Sequence, residues 1–164
     1  MTTDLTHSFV QAAGVKLHVV HAGPRTGPLL ILLHGVPEYW QAWQAQIEYF
    51  AGAGYQVWAP DQRGYNLSDK PAAVAAYNRD PLAADVLALV DSASQSKAFL
   101  VGHDWGGSVA WWFANKFPQR LHALGILNAP HHRVMSRTLT HRYSRPSWTK
   151  WAALASTGTV PPPA

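Results

Sequence analysis

The sequence predicts an α/β fold, a mostly parallel sheet with helices on both faces, and three observations predict it. Short, wholly apolar runs recur along the chain, Leu29–Leu33 being the clearest. A run without polar alternation reads as a strand buried on both faces, as in a parallel sheet. Amphipathic stretches of crossover-helix length alternate with these runs. Finally, two of the runs end in glycine-containing turns, His34-Gly35 and Gly102-His103-Asp104-Trp105-Gly106-Gly107. The chain has 164 residues, the size of one domain, and its 48% hydrophobic content can form a sizeable core.

The elements follow in order. Residues 9–13 and 16–21 alternate around Gly14 and predict a hairpin. Leu29–Leu33 is the first buried strand, and residues 40–53 form a helix closed by Gly54. Residues 56–59 are a second buried strand, running into the turn-rich Pro60-Asp61-Gln62-Arg63-Gly64. Asp80 and Pro81 suit the cap and first position of a helix reaching residue 91. Residues 98–101 are a third buried strand, 108–117 a helix stopping before Pro118, and Leu121–Leu127 a further strand. A helical pattern starts over 131–141, whereas 143–164 has little periodicity and ends in a proline run that fits neither a helix nor a central strand. No internal repeat is present. Residues 1–130 are thus expected to be one unit and 131–164 a distinct segment. The strand at 121–127 has no following strand to cover its far edge.

The formal charge of +4 is unevenly spread. All nine acidic residues fall within 1–104, beside six Lys/Arg, whereas 105–164 hold seven Lys/Arg and no Asp or Glu. A basic half can signal nucleic-acid binding. Here Lys116, Arg120, Arg133, Arg137, Arg142, Arg145 and Lys150 are scattered without a nucleic-acid motif, so no such partner is expected. The lack of cysteine excludes disulfides, thiolate metal sites and cysteine nucleophiles, and fits a cytoplasmic location. The first twenty residues carry Asp4, His7 and Lys16 without the apolar run of a signal peptide. No apolar stretch approaches the ~20 residues of a membrane span, so no membrane partner is expected.

The chemistry concentrates in Gly102 to Gly107, between a buried strand and a helix. Glycine, any residue, nucleophile, any residue, glycine is the layout of a nucleophile elbow. The nucleophile must project from a tight strained turn, and small neighbours avoid clashes there. Asp104 occupies the nucleophile position, where a carboxylate can attack carbon and form an ester. A helix N-terminus also favours its charged form. The alternative is an ordinary strand-to-helix turn in which Asp104 only caps the helix. Seventy residues earlier, His34-Gly35-Val36-Pro37 follows the strand Leu29–Leu33. In an elbow enzyme, the loop after that strand and the residue after the nucleophile supply the two oxyanion-hole N–H groups. Mapped here they are Val36 and Trp105. A simple β-to-α turn at His34-Gly35 is the alternative.

These motifs resemble the epoxide hydrolase and haloalkane dehalogenase branch of the α/β-hydrolase fold. The resemblance rests on His34-Gly35-Val36-Pro37-Glu38 with Trp40 and Trp43, and on 61–71 (Asp61-Gln62-Arg63-Gly64 through Lys70-Pro71). It rests further on Gly102 to Gly107 and on Asn128-Ala129-Pro130-His131, all in matching order over about residues 8–138. It implies a two-step hydrolysis without cofactor: Asp104 opens a small hydrophobic epoxide, or displaces a halide, to form an ester, and a His-activated water then attacks it. Trp105 and Pro37 would flank the substrate, and His34, Gly35, Gly102 and Gly106 would support the loops. Epoxide hydrolase is the closer match, since Val36 stands where some dehalogenases place a halide-binding Asn. A non-catalytic hydrolase-like small-molecule binding protein is the reading from another class. Ser108 sits a turn too late for a serine esterase.

The branch places its acid and histidine base after the nucleophile, near the end of a chain of about 300 residues, with a helical cap inserted after the Asn128 loop. No Asp or Glu follows Asp104, and His122, His131, His132 and His141 match other positions. The chain is therefore expected to be truncated before the cap is complete, with the family-like pattern lost after about 142, and to lack turnover. The pair His131-His132 carries no metal assignment, because adjacent histidines face apart and no carboxylate follows. His103, Trp111 and Trp112 read as packing residues. Oligomeric state is not legible.

Overall fold

The computed structural model describes residues 4–140, so the irregular stretch expected over 143–164 lies outside the described residues. Six strands, β1 (Thr6–Gln11), β2 (Lys16–Ala22), β3 (Leu29–Leu33), β4 (Gln56–Pro60), β5 (Ala98–His103) and β6 (Leu121–Leu127), form one sheet in the order β1-β2-β4-β3-β5-β6. The β1–β2 hairpin and the β2–β4 pair are antiparallel, and the pairs β3–β4, β3–β5 and β5–β6 are parallel. The expected mostly parallel sheet is therefore present, with the hairpin at one edge.

The apolar runs become the centre of that sheet. All five residues of β3 and all five of β4 are buried. Each fully buried Leu or Ile contributes about 2 kcal/mol to folding. On one face, Leu29, Ile31, Leu33 and Trp58 pack with Leu82, Val86 and Leu89 of α2 (Arg79–Ser92) and with Val109 and Phe113 of α3 (Asp104–Lys116). On the other, Leu30, Leu32, Val57 and Ala59 pack with Trp43 and with Ile47 and Ala51 of α1 (Gln44–Gly52). Burial alternates along β5: Ala98, Leu100 and Gly102 are buried, while Phe99, Val101 and His103 are half-buried. β6 is half-buried to exposed throughout.

Three helix boundaries differ from expectation, the first two alongside a distant partner. The helix expected over 40–53 is a 3-10 turn at Trp40–Trp43 followed by α1, with the Trp40 N–H donating to Asp61 Oδ1 at 3.1 Å. Asp80 does not cap α2; Asn78 holds that position, and the Asp80 carboxylate accepts from Lys116 Nζ (2.7 Å) and Trp112 Nε1 (2.9 Å). The third helix begins at Asp104 rather than 108. Packing divides the chain after Ala129. Within the second unit, α4 (His132–Thr140) opens with the Met135 N–H bonded to His131 O at 2.9 Å.

Candidate active site

Register brings the two motifs together. Leu33 pairs with Gly102, so the loop after β3 and the turn after β5 leave the sheet side by side at its C-terminal end. Asp104 has φ +49°, a left-handed conformation that costs a non-glycine residue of order 1–3 kcal/mol. The Val36 N–H donates to its Oδ1 at 3.1 Å, across 68 positions of sequence.

The glycines are required by contact. A Cβ on Gly106 would lie 2.4 Å from Leu33 O and 2.5 Å from His34 O, and one on Gly102 would lie 2.4 Å from Gly106 O. One on Gly35 would meet Asp104 Cβ at 2.8 Å. The backbones of loop, strand and helix touch directly, and the Gly106 N–H donates to His34 O at 3.1 Å.

His34 is fully buried beneath this junction. Its Nδ1 lies 2.8 Å from the Gly35 carbonyl, which can only accept, and its Nε2 receives the Gln62 N–H at 3.0 Å. The proton is therefore on Nδ1 and the ring is neutral. Burial holds its pKa below the ordinary histidine value, against smaller upward pulls from the Gly35 carbonyl, Asp61 and Glu38. Gln62 Nε2 completes the link by donating to His34 O at 2.6 Å.

Glu38 clamps the loop from the other side. Its Oε2 accepts from the Gly35 N–H (2.9 Å) and from Nδ1 of His103 (3.1 Å), the residue before Asp104. The Gly35 N–H holds the Glu38 carboxyl below the usual carboxylate range; burial opposes this, and His103 adds to it. His103 thus has a polar partner rather than the packing role expected from sequence. No local signal pointed to this pair, because Glu38 lies 65 positions upstream of His103.

The underlying loop is pinned twice. Asp61, fully buried, accepts from His18 Nδ1 (2.7 Å) and Asn66 Nδ2 (2.9 Å) through Oδ2. Arg63 grips Asp85 through Nε (2.9 Å) and a terminal nitrogen (2.7 Å), and it also donates to Ala13 O (2.9 Å). Tyr65 sits edge-on against His34, its ring centre 4.9 Å away. Burial raises its phenol pKa, and the charge of Asp104 raises it further.

The structure therefore brings Asp104, Val36, Gly35, Gly102 and Gly106 together, with His34 as a buried brace. Trp105 follows in the first turn of α3, whose N–H groups have no intrahelical acceptor, and its side chain is 37% exposed. Val36 and Pro37 are exposed and joined by a cis peptide bond. Among the described residues, no group of three or more His, Asp or Glu is arranged to hold a metal. No helix among them is long and apolar enough to cross a membrane.

Comparison with known proteins follows this geometry. The family model of the alpha/beta hydrolase fold matches residues 28–154, running past residue 142, where the sequence read by itself loses the pattern. The chain is 48% identical over 147 residues to the AB hydrolase superfamily protein YfhM of Bacillus subtilis, covering 90% of this chain and 51% of that one. It is 43% identical over 133 residues to epoxide hydrolase 4 of Mus musculus, covering 80% and 37%. Among solved structures, epoxide hydrolase A from Mycobacterium thermoresistibile superposes with a TM-score of 0.76 at 42% identity, covering 77% of this chain and 40% of that chain. The chain spans about half the length of the first relative and about two-fifths of the other two.

Proposed function

We propose, for a chain that belongs to the alpha/beta hydrolase fold family, an epoxide hydrolase-type reaction in which Asp104 is the nucleophile. The Val36 N–H on Asp104 Oδ1, at 3.1 Å, carries this reading. A donor held there leaves Oδ2 to attack an epoxide carbon. The ring C–O bond breaks, its electron pair stays on the ring oxygen, which takes up a proton from solvent water, and an ester joins Asp104 to the substrate. Oδ1 becomes the ester carbonyl oxygen, already beside its donor. When water adds to the Asp104 carboxyl carbon, negative charge develops on Oδ1, and the Val36 and Trp105 N–H groups stabilise it. Loss of one such donor typically costs about 10²–10³ in rate.

Trp105 and Pro37 form apolar walls for a small hydrophobic epoxide, and no cofactor or metal enters the reaction. The side chain of Val36 offers no donor to a departing halide, which favours the epoxide over the haloalkane. Residues 1–130 supply the nucleophile half of the core, and the segment from 131 begins a cap. The acid and base of the second step are assigned to no residue here, since no carboxylate follows Asp104. The cysteine-free composition supports work in a reducing compartment such as the cytoplasm.

Intact-mass and peptide mass spectrometry after incubation with styrene oxide test this. One adduct per chain is expected, on Asp104, and none in Asp104→Asn, whose side chain tolerates the same left-handed backbone. Saturable binding without an adduct would favour a non-catalytic receptor. An adduct of the same yield in Asp104→Asn would overturn the nucleophile assignment.

A further inference from the structure

The peptide unit that donates to Asp104 is held from its far side. A peptide unit is planar, so whatever fixes its carbonyl also aims its N–H. In the Gly35–Val36 unit, the Gly35 carbonyl accepts from His34 Nδ1 at 2.8 Å and from the Glu38 N–H at 3.1 Å. Its N–H, that of Val36, donates to Asp104 Oδ1 at 3.1 Å. The unit before it is fixed in the same manner. The His34 carbonyl accepts from Gln62 Nε2 at 2.6 Å and from the Gly106 N–H at 3.1 Å, and the Gly35 N–H donates to Glu38 Oε2 at 2.9 Å.

Gln62 stands behind both units. Its side-chain amide fixes the first carbonyl. Its backbone N–H, 3.0 Å from His34 Nε2, leaves the ring proton on Nδ1, where it meets the second carbonyl. Among the described residues, Gln62 is the one that bonds both the carbonyl and the ring of His34. Both residues are buried, so water has no ready access to these bonds. Two donors on the Gly35 carbonyl also polarise its peptide, which strengthens the Val36 N–H as a donor.

We infer that Gln62 is a positioning residue for the reaction proposed above, on which this inference rests. Through His34 it aims the Val36 N–H at the oxygen where negative charge develops. A displacement of about 1 Å can cost about a hundredfold in rate, so partial release of this loop should cost about tenfold.

Hydroxylamine cleavage of the Asp104 ester tests this, because hydroxylamine attacks an ester without a base from the protein. Its nitrogen bonds to the Asp104 carboxyl carbon and loses a proton to solvent, while charge develops on Oδ1. The ester C–O bond then breaks, and its oxygen takes a proton from water. Diol is released, and a hydroxamate remains on Asp104, told from the ester by mass. After styrene oxide labelling, Gln62→Met, which keeps the side-chain length and loses the donor, should be cleaved about tenfold more slowly than the parent. Gln62→Leu, a second apolar replacement, should be slowed to the same degree. Val86→Ala loosens only buried packing between α2 and the sheet, so it should lower the melting temperature and leave cleavage unchanged. A merely structural Gln62 would instead lose rate and stability together, as Val86→Ala would. In the unlabelled protein, the Val36 amide proton should shift upfield and exchange faster in Gln62→Met. Equal cleavage in parent and Gln62 variants, slowing in Val86→Ala, or an unchanged Val36 amide would each overturn the inference. Absence of any Asp104 adduct would sink the nucleophile assignment alone, and the Val36 amide would still report on Gln62.

Discussion

The junction of β3 with β5 and the outer strand β6 lie one strand apart and are built in opposite ways. At the junction, backbones touch, so that a Cβ on Gly102 or Gly106 would fall 2.4 Å from a carbonyl oxygen. Each polar group of His34 and Gln62 named above has a partner within 3.1 Å. On β6, Ala123 and Leu127 are exposed, and a Cβ on Gly125 would meet only Val101 side-chain atoms, at 3.2 Å or more. Among the described residues, no strand pairs with its outer edge. The turn at Asp104 is therefore held closely by the backbone of the β3 loop, while β6 supports it through the pairing of Ile126 and Leu127 with Gly102 and His103. That is what a strained turn needs, since strain persists only where the surroundings enforce it.

The contrast is open to direct attack. Asp85→Asn strips the buried Arg63 of its charged partner and should cost about 3–5 kcal/mol in urea unfolding; a cost below about 1 kcal/mol would mean that the interior is not rigidly held. Gly106→Ala should cost about 3 kcal/mol, because backbone must move, whereas Gly125→Ala should cost under about 1 kcal/mol, because methyl groups can yield. Equal costs would erase the distinction between centre and edge.

A smaller effect comes from His21 on β2, away from both regions. The pKa of His21 is lowered to about 4, so the unfolded chain binds the extra proton first as pH falls. Its stabilising contribution is complete above about pH 6.5 and is lost as pH falls towards 4. Linkage sets an upper limit of about 3 kcal/mol, which solvent screening of the half-buried ring reduces to about 1–2 kcal/mol. Urea midpoints between pH 4 and 7 should slope accordingly in the parent chain, and His21→Asn should flatten that slope. Smallest of all, Ala123→Lys on β6 should change stability by less than about 0.5 kcal/mol. It should still shift sizing chromatography towards monomer, because charge on an open edge discourages strand-to-strand association.

Much of the fold is legible from short-range pattern. The apolar run Leu29–Leu33 coincides with β3, because burial of every side chain leaves a purely local signature, and the stretch Leu121–Leu127 coincides with β6 although its residues are half-buried to exposed. Where the reading departs from the structure, a distant group decides. The turn at Trp40 depends on Asp61, and Asp80 leaves its capping role for Lys116 and Trp112, more than thirty positions away. His103 reads as packing because Glu38, its partner, is 65 positions upstream.

By itself the sequence determined the kind of chemistry to look for: glycines on either side of Asp104, after a buried strand, specify a tight turn that presents a carboxylate. Local sterics suffice for that. Only the tertiary structure decided which donor meets that carboxylate, which nitrogen of His34 carries its proton, and which charge holds Arg63. Those outcomes follow from the pairing of Leu33 with Gly102 and from the burial around it. Register is a property of the whole sheet, and no segment encodes it alone.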